Sequence, residues 1–185
     1  EGSIMKGFQP SIFKTNINGN FIVEFPLPNS FKNIEKIPHN AVFEAATQSI
    51  DSQGDSQGFW IAMEGVLTSD GEAPTFTKKS APIRITYFDS SSASATHQYA
   101  YELEPITKPA KGNINLNGVT AMLAFKEHHF FIIERTYQNG YGVHGNTIRI
   151  FEASINEETT NIIAVESLKE TDYIPLKKKL LFDFS

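Results

Sequence analysis

Glutamates recur beside short apolar runs, and carboxylates are the side chains that most often carry acid–base or metal chemistry. Glu44 lies near the start of one run, 41–50, and Glu64 lies near the end of the next, 59–65. The connector between them, 51–58, contains only Asp, Ser, Gln and Gly, which predicts a β-hairpin with a solvated turn. Because hairpin strands are antiparallel, we expect Glu44 and Glu64 to lie near each other, away from the turn.

The position of Glu64 recurs along the chain. Glu1-Gly2, Glu64-Gly65 and Glu134-Arg135 each precede a loop that contains glycine. Clustered carboxylates repel one another and persist when a cation neutralises them or when some stay protonated. Hard oxygen ligands in a chain without Cys favour Ca²⁺ or Mg²⁺. We predict Glu44, Glu64 and Glu134 as catalytic residues and, together with Glu1, as metal ligands; each could instead be a solvated carboxylate at a strand end.

Four further residues are weaker candidates for substrate binding. Asn40 could ligate a metal, although a turn is the favoured interpretation. Arg84 and Arg149 each lie in an Ile-Arg-Ile triplet and could bind phosphate, but their mid-strand positions favour cross-strand or interblade contacts. His144 lies in a glycine-rich loop and could act as a base.

The elements that must position these side chains are short strands in a repeated order. A unit of four strands occurs twice, at about 41–103 and 118–168, with part of an earlier copy at 1–28 and the start of another at 177–185. A repeat of roughly sixty residues built from four antiparallel strands is typical of propeller blades. We therefore predict an all-β, propeller-like fold in a single domain; the alternative is one β-sandwich or barrel.

Two and a half blades do not close a ring, which takes about four to eight. We expect either a fragment of a larger propeller or pairing with another chain. The unpaired blade edges would favour self-association.

Composition limits the possible functions. The 185 residues carry a net charge of −5 without a basic block, which gives nucleic-acid binding little support. No apolar run approaches the twenty or so residues of a membrane span. The absence of Cys excludes disulfides, and the absence of Gly-x-Ser-x-Gly leaves a serine esterase without support. The chain opens on Glu1-Gly2 without a signal peptide, so we expect a mature or trimmed piece of a longer protein.

Ordered motifs over nearly the whole chain resemble one family, the "esterase-like activity of phytase" domain of exported bacterial proteins. The segment 10–28 is similar to the family's stretch after its first Glu-Gly. Asn40-Ala-Val-Phe-Glu-Ala-Ala46 resembles Asn-x-Gly-Phe-Glu-Gly-Leu/Ala, and Trp60-Ile-Ala-Met-Glu-Gly-Val-Leu67 resembles Tyr-Ala-Ala-Leu-Glu-Gly-Pro-Leu. Two later motifs also match: Phe131-Ile-Ile-Glu-Arg135 and 177–184.

This resemblance implies a β-propeller, a periplasmic or secreted location, and recurring acidic residues that carry phosphoesterase activity. The positions that correspond to the family's acids are Glu1, Glu44, Glu64 and Glu134. The chain departs from the family pattern in two ways. Ala121 stands where a Glu is expected, and the opening blade with its own acids is absent.

Three functions therefore compete at this point. The first is a phosphoesterase that needs a divalent metal and acts on a small phosphorylated substrate. The second is a binding module whose acidic mouth holds a cation, an unknown ligand or a protein partner without chemistry, and Ala121 favours it. The third is a structural propeller that holds neighbouring domains in place.

Overall fold

A computed structural model of the chain describes residues 9–33, 35, 37–38, 40–77 and 81–185. The described residues form ten strands and two short 3-10 turns, Asn29–Phe31 and Gly142–His144, which confirms the predicted all-β fold. The strands make three antiparallel sheets, one of two strands and two of four. The two larger sheets are the blade-like units that the repeat predicted. The strands are β1 Phe13–Thr15, β2 Phe21–Glu24, β3 Phe43–Gln48, β4 Gly58–Met63, β5 Pro82–Asp89, β6 Ser94–Glu102, β7 Asn115–Lys126, β8 His129–Gln138, β9 Asn146–Ser154 and β10 Lys177–Asp183.

The first large sheet has the order β3-β4-β5-β6, so each strand pairs with its neighbour in sequence. Its β3–β4 turn is organised by Asp51, whose Oδ1 accepts hydrogen bonds from the backbone N–H groups of Gln53 and Asp55, both at 2.9 Å. Its β5–β6 turn is organised in the same way by Asp89. The Ser91 and Ser92 hydroxyls and backbone N–H groups donate to that carboxylate, which lowers the pKa of Asp89 to about 2.

The second large sheet has the order β7-β8-β9-β10, and its last strand corrects the sequence interpretation. A four-strand unit over 118–168 would take 161–165 as its fourth strand, but this run forms a loop. The fourth strand is β10, with Lys177 opposite Ser154, so 177–183 completes this unit instead of beginning another. The reason is packing: Ile162 is fully buried against Ala100 of the first sheet, so this apolar run fills a space between elements without joining a ladder.

The two large sheets pack face to face, with β3 beside β7. The ring of Trp60 meets that of Phe130 edge-on at 5.3 Å across this interface. Backbone groups also join the sheets: Val119 N–H donates to the Glu64 carbonyl at 3.2 Å, and Ala124 N–H donates to Thr47 Oγ1 at 3.0 Å. Buried apolar side chains from both sheets form one core.

The outer faces of the two sheets differ. The first sheet is covered by the segment before β3, where Phe25 packs on Phe59 and Phe88 at ring distances of 4.9 and 6.0 Å. The outer face of the second sheet is apolar and uncovered in the described structure; Leu123 and Phe182 are 57% and 59% exposed. The described residues include no helix with the length and hydropathy that a membrane span requires.

Candidate functional site

Glu134, in the middle of β8, is completely buried and surrounded by hydrogen-bond donors. Its Oε1 accepts from the Tyr101 hydroxyl at 2.9 Å and from Lys178 Nζ at 2.5 Å. Its Oε2 accepts from the Glu104 backbone N–H at 3.0 Å and from Asn117 Nδ2 at 2.7 Å. These donors and the cation beside it give the buried carboxylate the hydrogen bonds that its burial requires.

Lys178 reaches Glu134 from β10 and is itself enclosed. Its amine also donates to the Glu102 carbonyl at 2.8 Å and lies 3.1 Å from Glu104 Oε1. The amine is 4.6 Å from the ring centre of Tyr101 and 3.9 Å from that of Phe151, within the range of cation–π attraction. Three oxygen partners use the three N–H donors of an ammonium group.

Arg149 on β9 stands directly opposite Glu134 in the ladder. Its Nη2 donates to the Pro105 carbonyl at 2.9 Å and lies 3.8 Å from Glu134 Oε2. The side chain is 10% exposed. Its Nε is buried and has no hydrogen-bond partner among the described residues, which is unusual for a guanidinium. Arg149 therefore keeps donor capacity that the described part of the chain does not use.

The environment shifts the pKa of Tyr101 upward. Burial is the main cause, and the negative charge of Glu134, to which the phenol donates, adds to it. Both effects favour the neutral phenol. Tyr101 therefore remains a hydrogen-bond donor to Glu134 well into the alkaline range.

A cavity of about 210 Å³ opens beside these groups. It brings two cationic side chains and two carboxylates to one space, with apolar residues on the remaining walls. Such an arrangement can hold an anionic group against the cations and offer a carboxylate for proton transfer. The lining residues are Glu104, Arg149, Phe151, Lys178, Leu180 and Asp183.

The family model "Phytase-like: Esterase-like activity of phytase" matches residues 1–185. The chain belongs to the phytase-like family. Neither a curated protein nor a solved structure matches it. Membership supports a hydrolase role for this phytase-like chain and agrees with the family that the ordered motifs indicated.

The hairpin places Glu44 and Glu64 of the phytase-like chain at the same end of β3 and β4. Glu64 follows the last residue of β4, and its N–H donates to the Val42 carbonyl at 2.7 Å. Its side chain is half-buried against Gly118 of β7. Glu44 lies in a bulge of β3 and is exposed. Their catalytic roles stay predictions, and Glu1 lies outside the described residues.

The metal role of the glutamates stays a prediction. In the part of the chain that the structure describes, no group of three or more His, Cys, Asp or Glu side chains could hold a metal ion. Both oxygens of Glu134 already accept hydrogen bonds, and its charge is matched by Lys178. The donor set around Glu134 therefore suits an internal ion pair better than Ca²⁺ or Mg²⁺.

Arg84, the counterpart of Arg149 in the first sheet, is fully buried. Its Nε and Nη2 donate to the two oxygens of Asp70 at 2.6 and 2.8 Å, and its Nη1 donates to Gln98 Oε1 at 2.7 Å and to the Val165 carbonyl at 2.8 Å. These contacts fix the loop around residue 165 onto the sheet. They leave Arg84 without access to a substrate in this conformation.

The remaining predicted residues lie apart from the cavity. Asn40 is exposed in a turn, with a left-handed φ of 53° that Asn tolerates better than most residues. His144 is exposed in a 3-10 turn, and its carbonyl accepts a hydrogen bond from Lys108 Nζ at 3.0 Å. Ala121 is exposed on the outer face of the second sheet.

Sequence reasoning missed Lys178, Glu104 and Asp183 as parts of the site. The run Lys177-Lys178-Lys179 was available as a signal, because alternation along a strand sends the middle lysine to the face opposite its neighbours. That signal depended on knowing that β10 belongs to the second sheet. Glu104 lies in a loop, where no periodicity indicates its direction.

Proposed function

We propose that this phytase-like domain hydrolyses phosphate esters and that Arg149 holds the phosphate group in the cavity beside Glu134. Family membership supports hydrolysis, and one structural observation supports this location. Arg149 lines a cavity that also contains carboxylates, and its Nε, which is buried in this conformation, has no hydrogen-bond partner among the described residues. A guanidinium with free donors is well suited to bind phosphate oxygens.

The neighbouring residues have separate roles in this proposal. Lys178 already has three oxygen partners, so it contributes positive charge more than new hydrogen bonds. Glu134 is a positioning residue, because its ion pair keeps Lys178 beside Arg149. Asp183 and Glu104 are the carboxylates on the cavity wall that can orient a water and accept its proton.

The glutamates predicted from sequence form a second arm of the proposal. Glu44 and Glu64 could act at the end of the first hairpin, with Glu1 and a divalent cation completing that site. Dependence on Ca²⁺ or Mg²⁺ belongs to this arm alone. A location outside the cytoplasm and a small phosphorylated substrate are likewise proposals that rest on the family.

The test is release of phosphate from p-nitrophenyl phosphate and from inositol hexakisphosphate. p-Nitrophenyl acetate, a carboxylic ester, is included because the family description names an esterase-like activity without the kind of ester. Assays are run with EDTA, Ca²⁺ or Mg²⁺. We expect Arg149→Met to lower kcat/KM by a factor on the order of 10² to 10³, as for loss of one donor to a developing charge. Arg135→Met is the matched control, since Arg135 directly follows Glu134 on β8 but is exposed on the opposite face.

Glu44→Gln and Glu64→Gln separate the two arms. If these variants lose activity while Arg149→Met keeps it, the active site lies at the hairpin end and not in the cavity beside Glu134. Thermal melts of every variant distinguish a lost group from a lost fold. Absence of turnover of both phosphate esters under every metal condition would overturn the proposal, whether or not the acetate is hydrolysed.

A further inference from the structure

A second cavity, of about 200 Å³, lies between the two large sheets at the end that carries the β3–β4 and β7–β8 turns. Glu64 follows the opposite end of β4, so this cavity is separate from the hairpin-end carboxylates. Four aromatic side chains on three neighbouring strands line it: Trp60 on β4, Tyr87 on β5, and His97 and Tyr99 on β6. The β3–β4 side contributes Ser49, Ile50, Asp51 and Gln57, and the β7–β8 turn contributes Glu127 and His128.

The register of the first sheet places the rings on one face. Trp60 pairs with Tyr87, and Tyr87 pairs with His97. The ring centres of Trp60 and Tyr87 are 4.9 Å apart, those of Trp60 and Tyr99 are 6.1 Å apart, and those of His97 and Tyr99 are 6.3 Å apart and stacked. Trp60 is buried and forms the floor, whereas the tyrosines are half-buried and His97 is exposed.

Gly58 is required for this arrangement. A Cβ at this position would lie 2.8 Å from the Tyr87 hydroxyl and 2.1 Å from the Phe88 carbonyl oxygen. The ring of Tyr87 therefore lies over a strand position that has no side chain. A side chain at position 58 would displace this ring from the cavity wall.

The rim of the cavity is acidic. Asp51 and Glu127 lie on opposite sides of it, and no Lys or Arg is among the lining residues. Oδ1 of Asp51 is used by its own turn. Within the part of the chain that the structure describes, no side chain pairs with the Glu127 carboxylate, and the hydroxyls of Tyr87 and Tyr99 make no hydrogen bond.

We propose that this cavity binds a small organic cation, a protonated amine or a quaternary ammonium. The faces of Trp and Tyr rings attract such cations, and a desolvated site strengthens the attraction. The two carboxylates add long-range attraction of the same sign. Burial raises the pKa of Tyr99, as expected for a ring that lies partly out of water.

The size and charge of the cavity specify the ligand further. Drug-sized ligands occupy sites of about 300–1,000 Å³, so a cavity of about 200 Å³ takes a smaller molecule. Aromatic faces with free hydroxyls would also suit a sugar, whose own hydroxyls can donate hydrogen bonds to a carboxylate. Only a cation also gains from the long-range attraction of both negative charges, so the charge of the rim favours the cation.

Trp60 is the only tryptophan of the chain, so its fluorescence reports on this floor directly. The experiment titrates the protein with choline chloride at constant ionic strength, with 3,3-dimethylbutan-1-ol as the neutral isostere and methyl glucoside as the sugar. We expect a saturable change in Trp60 fluorescence with choline, and an affinity at least about five-fold weaker for the neutral isostere.

Two variants test the parts of the site. Tyr99→Leu removes one ring and is expected to weaken choline binding about five-fold. The double variant Asp51→Asn, Glu127→Gln removes the charge while leaving the turn acceptor at position 51, and a similar loss is expected. Glu157→Gln, an exposed acid outside the cavity, is the control and should bind as the parent does.

Three results would overturn the proposal. One is the absence of a saturable response to choline. Another is equal binding of choline and its isostere, or of choline by parent and double variant. The third is saturation by methyl glucoside alone, which would assign the cavity to a sugar.

Discussion

The Glu134–Lys178 ion pair is the interaction most sensitive to a single substitution. Lys178 is only 12% exposed and Glu134 is not exposed at all, so neither charge can be solvated if its partner is lost. Removing one member of such a buried pair leaves an uncompensated charge in a low-dielectric interior. Loss of one partner is therefore expected to cost more than the intact pair contributes to the free energy of folding.

We predict that Lys178→Met lowers the free energy of unfolding by about 3–5 kcal/mol, because it leaves the buried Glu134 carboxylate without its counter-ion. Urea denaturation at neutral pH measures the change. Lys177→Met, one residue earlier in β10 and exposed, is the control and should change stability by less than about 0.5 kcal/mol. Equal stability of the two variants would show that Glu134 is compensated by other groups.

The raised pKa of Tyr101 predicts a specific dependence of stability on alkaline pH. An unfolded tyrosine ionises near pH 10, and the folded phenol ionises only at higher pH. The stabilisation is therefore complete below pH 10 and is lost as pH rises towards the folded pKa. We expect the free energy of unfolding, measured in urea from about pH 8 to 11, to fall more steeply for the parent than for Tyr101→Phe.

The control for this experiment is Tyr137→Phe, which removes an exposed hydroxyl and should reproduce the slope of the parent. Parallel curves for the parent and Tyr101→Phe would mean that Tyr101 does not titrate differently in the two states.

At the scale of elements, the two large sheets approach most closely where β7 passes Glu64. Gly118 makes this approach possible, since a Cβ there would lie 2.7 Å from both the carbonyl oxygen and the Cγ of Glu64. We predict that Gly118→Ala destabilises the protein by about 1–3 kcal/mol through overpacking, as measured by thermal or urea unfolding.

Gly71→Ala is the matched control for that substitution. A Cβ at Gly71 would meet its neighbours at 3.6 Å, an ordinary contact, and the backbone there is not left-handed. A change within about 0.5 kcal/mol is expected. An equally small loss of stability in Gly118→Ala would mean that the backbone around Glu64 moves away from β7 to make room for the methyl group.

The strands were largely predictable from the sequence because their patterns are local. The hairpin around 51–58 and the tight turn before His129 follow from apolar runs and turn residues. The fourth strand of the second sheet was not predictable in this way. The run 161–165 is more apolar than Lys177-Lys178-Lys179, yet the lysine-bearing segment forms the strand and the apolar run fills a gap between elements.

The candidate site was predictable only in part for the same reason. Glu134 was identified because its motif recurs, but its partners come from strands and loops far apart in the chain. Tyr101, Asn117 and Lys178 lie 33, 17 and 44 residues away from it. No periodicity relates such residues: the strand order of the second sheet brings Asn117 and Lys178 to Glu134, and the packing of the first sheet brings Tyr101.

At the scale of the whole molecule, the uncovered apolar face of the second sheet is the main feature. It includes a cavity of about 380 Å³ whose walls are almost entirely apolar. Exposed apolar patches of this kind mark surfaces for association. This face is a second candidate surface, besides the strand edges, for the predicted self-association.

We predict that the protein forms concentration-dependent oligomers, and that Leu123→Lys with Phe182→Lys shifts them towards the monomer by placing charges on the patch. Sedimentation velocity or light scattering measures the change. Gln53→Lys, in the exposed β3–β4 turn, adds a charge elsewhere and should leave the distribution unaltered. A monomeric parent at every concentration would contradict this prediction.

The position of Lys178 also has a consequence for biosynthesis. Glu134 is translated 44 residues before Lys178, so until β10 has been translated the nascent second sheet has only the more distant Arg149, at 3.8 Å, to offset its buried carboxylate. We expect the second sheet to reach its native arrangement only after β10 has been translated, because the Glu134–Lys178 ion pair cannot form before then.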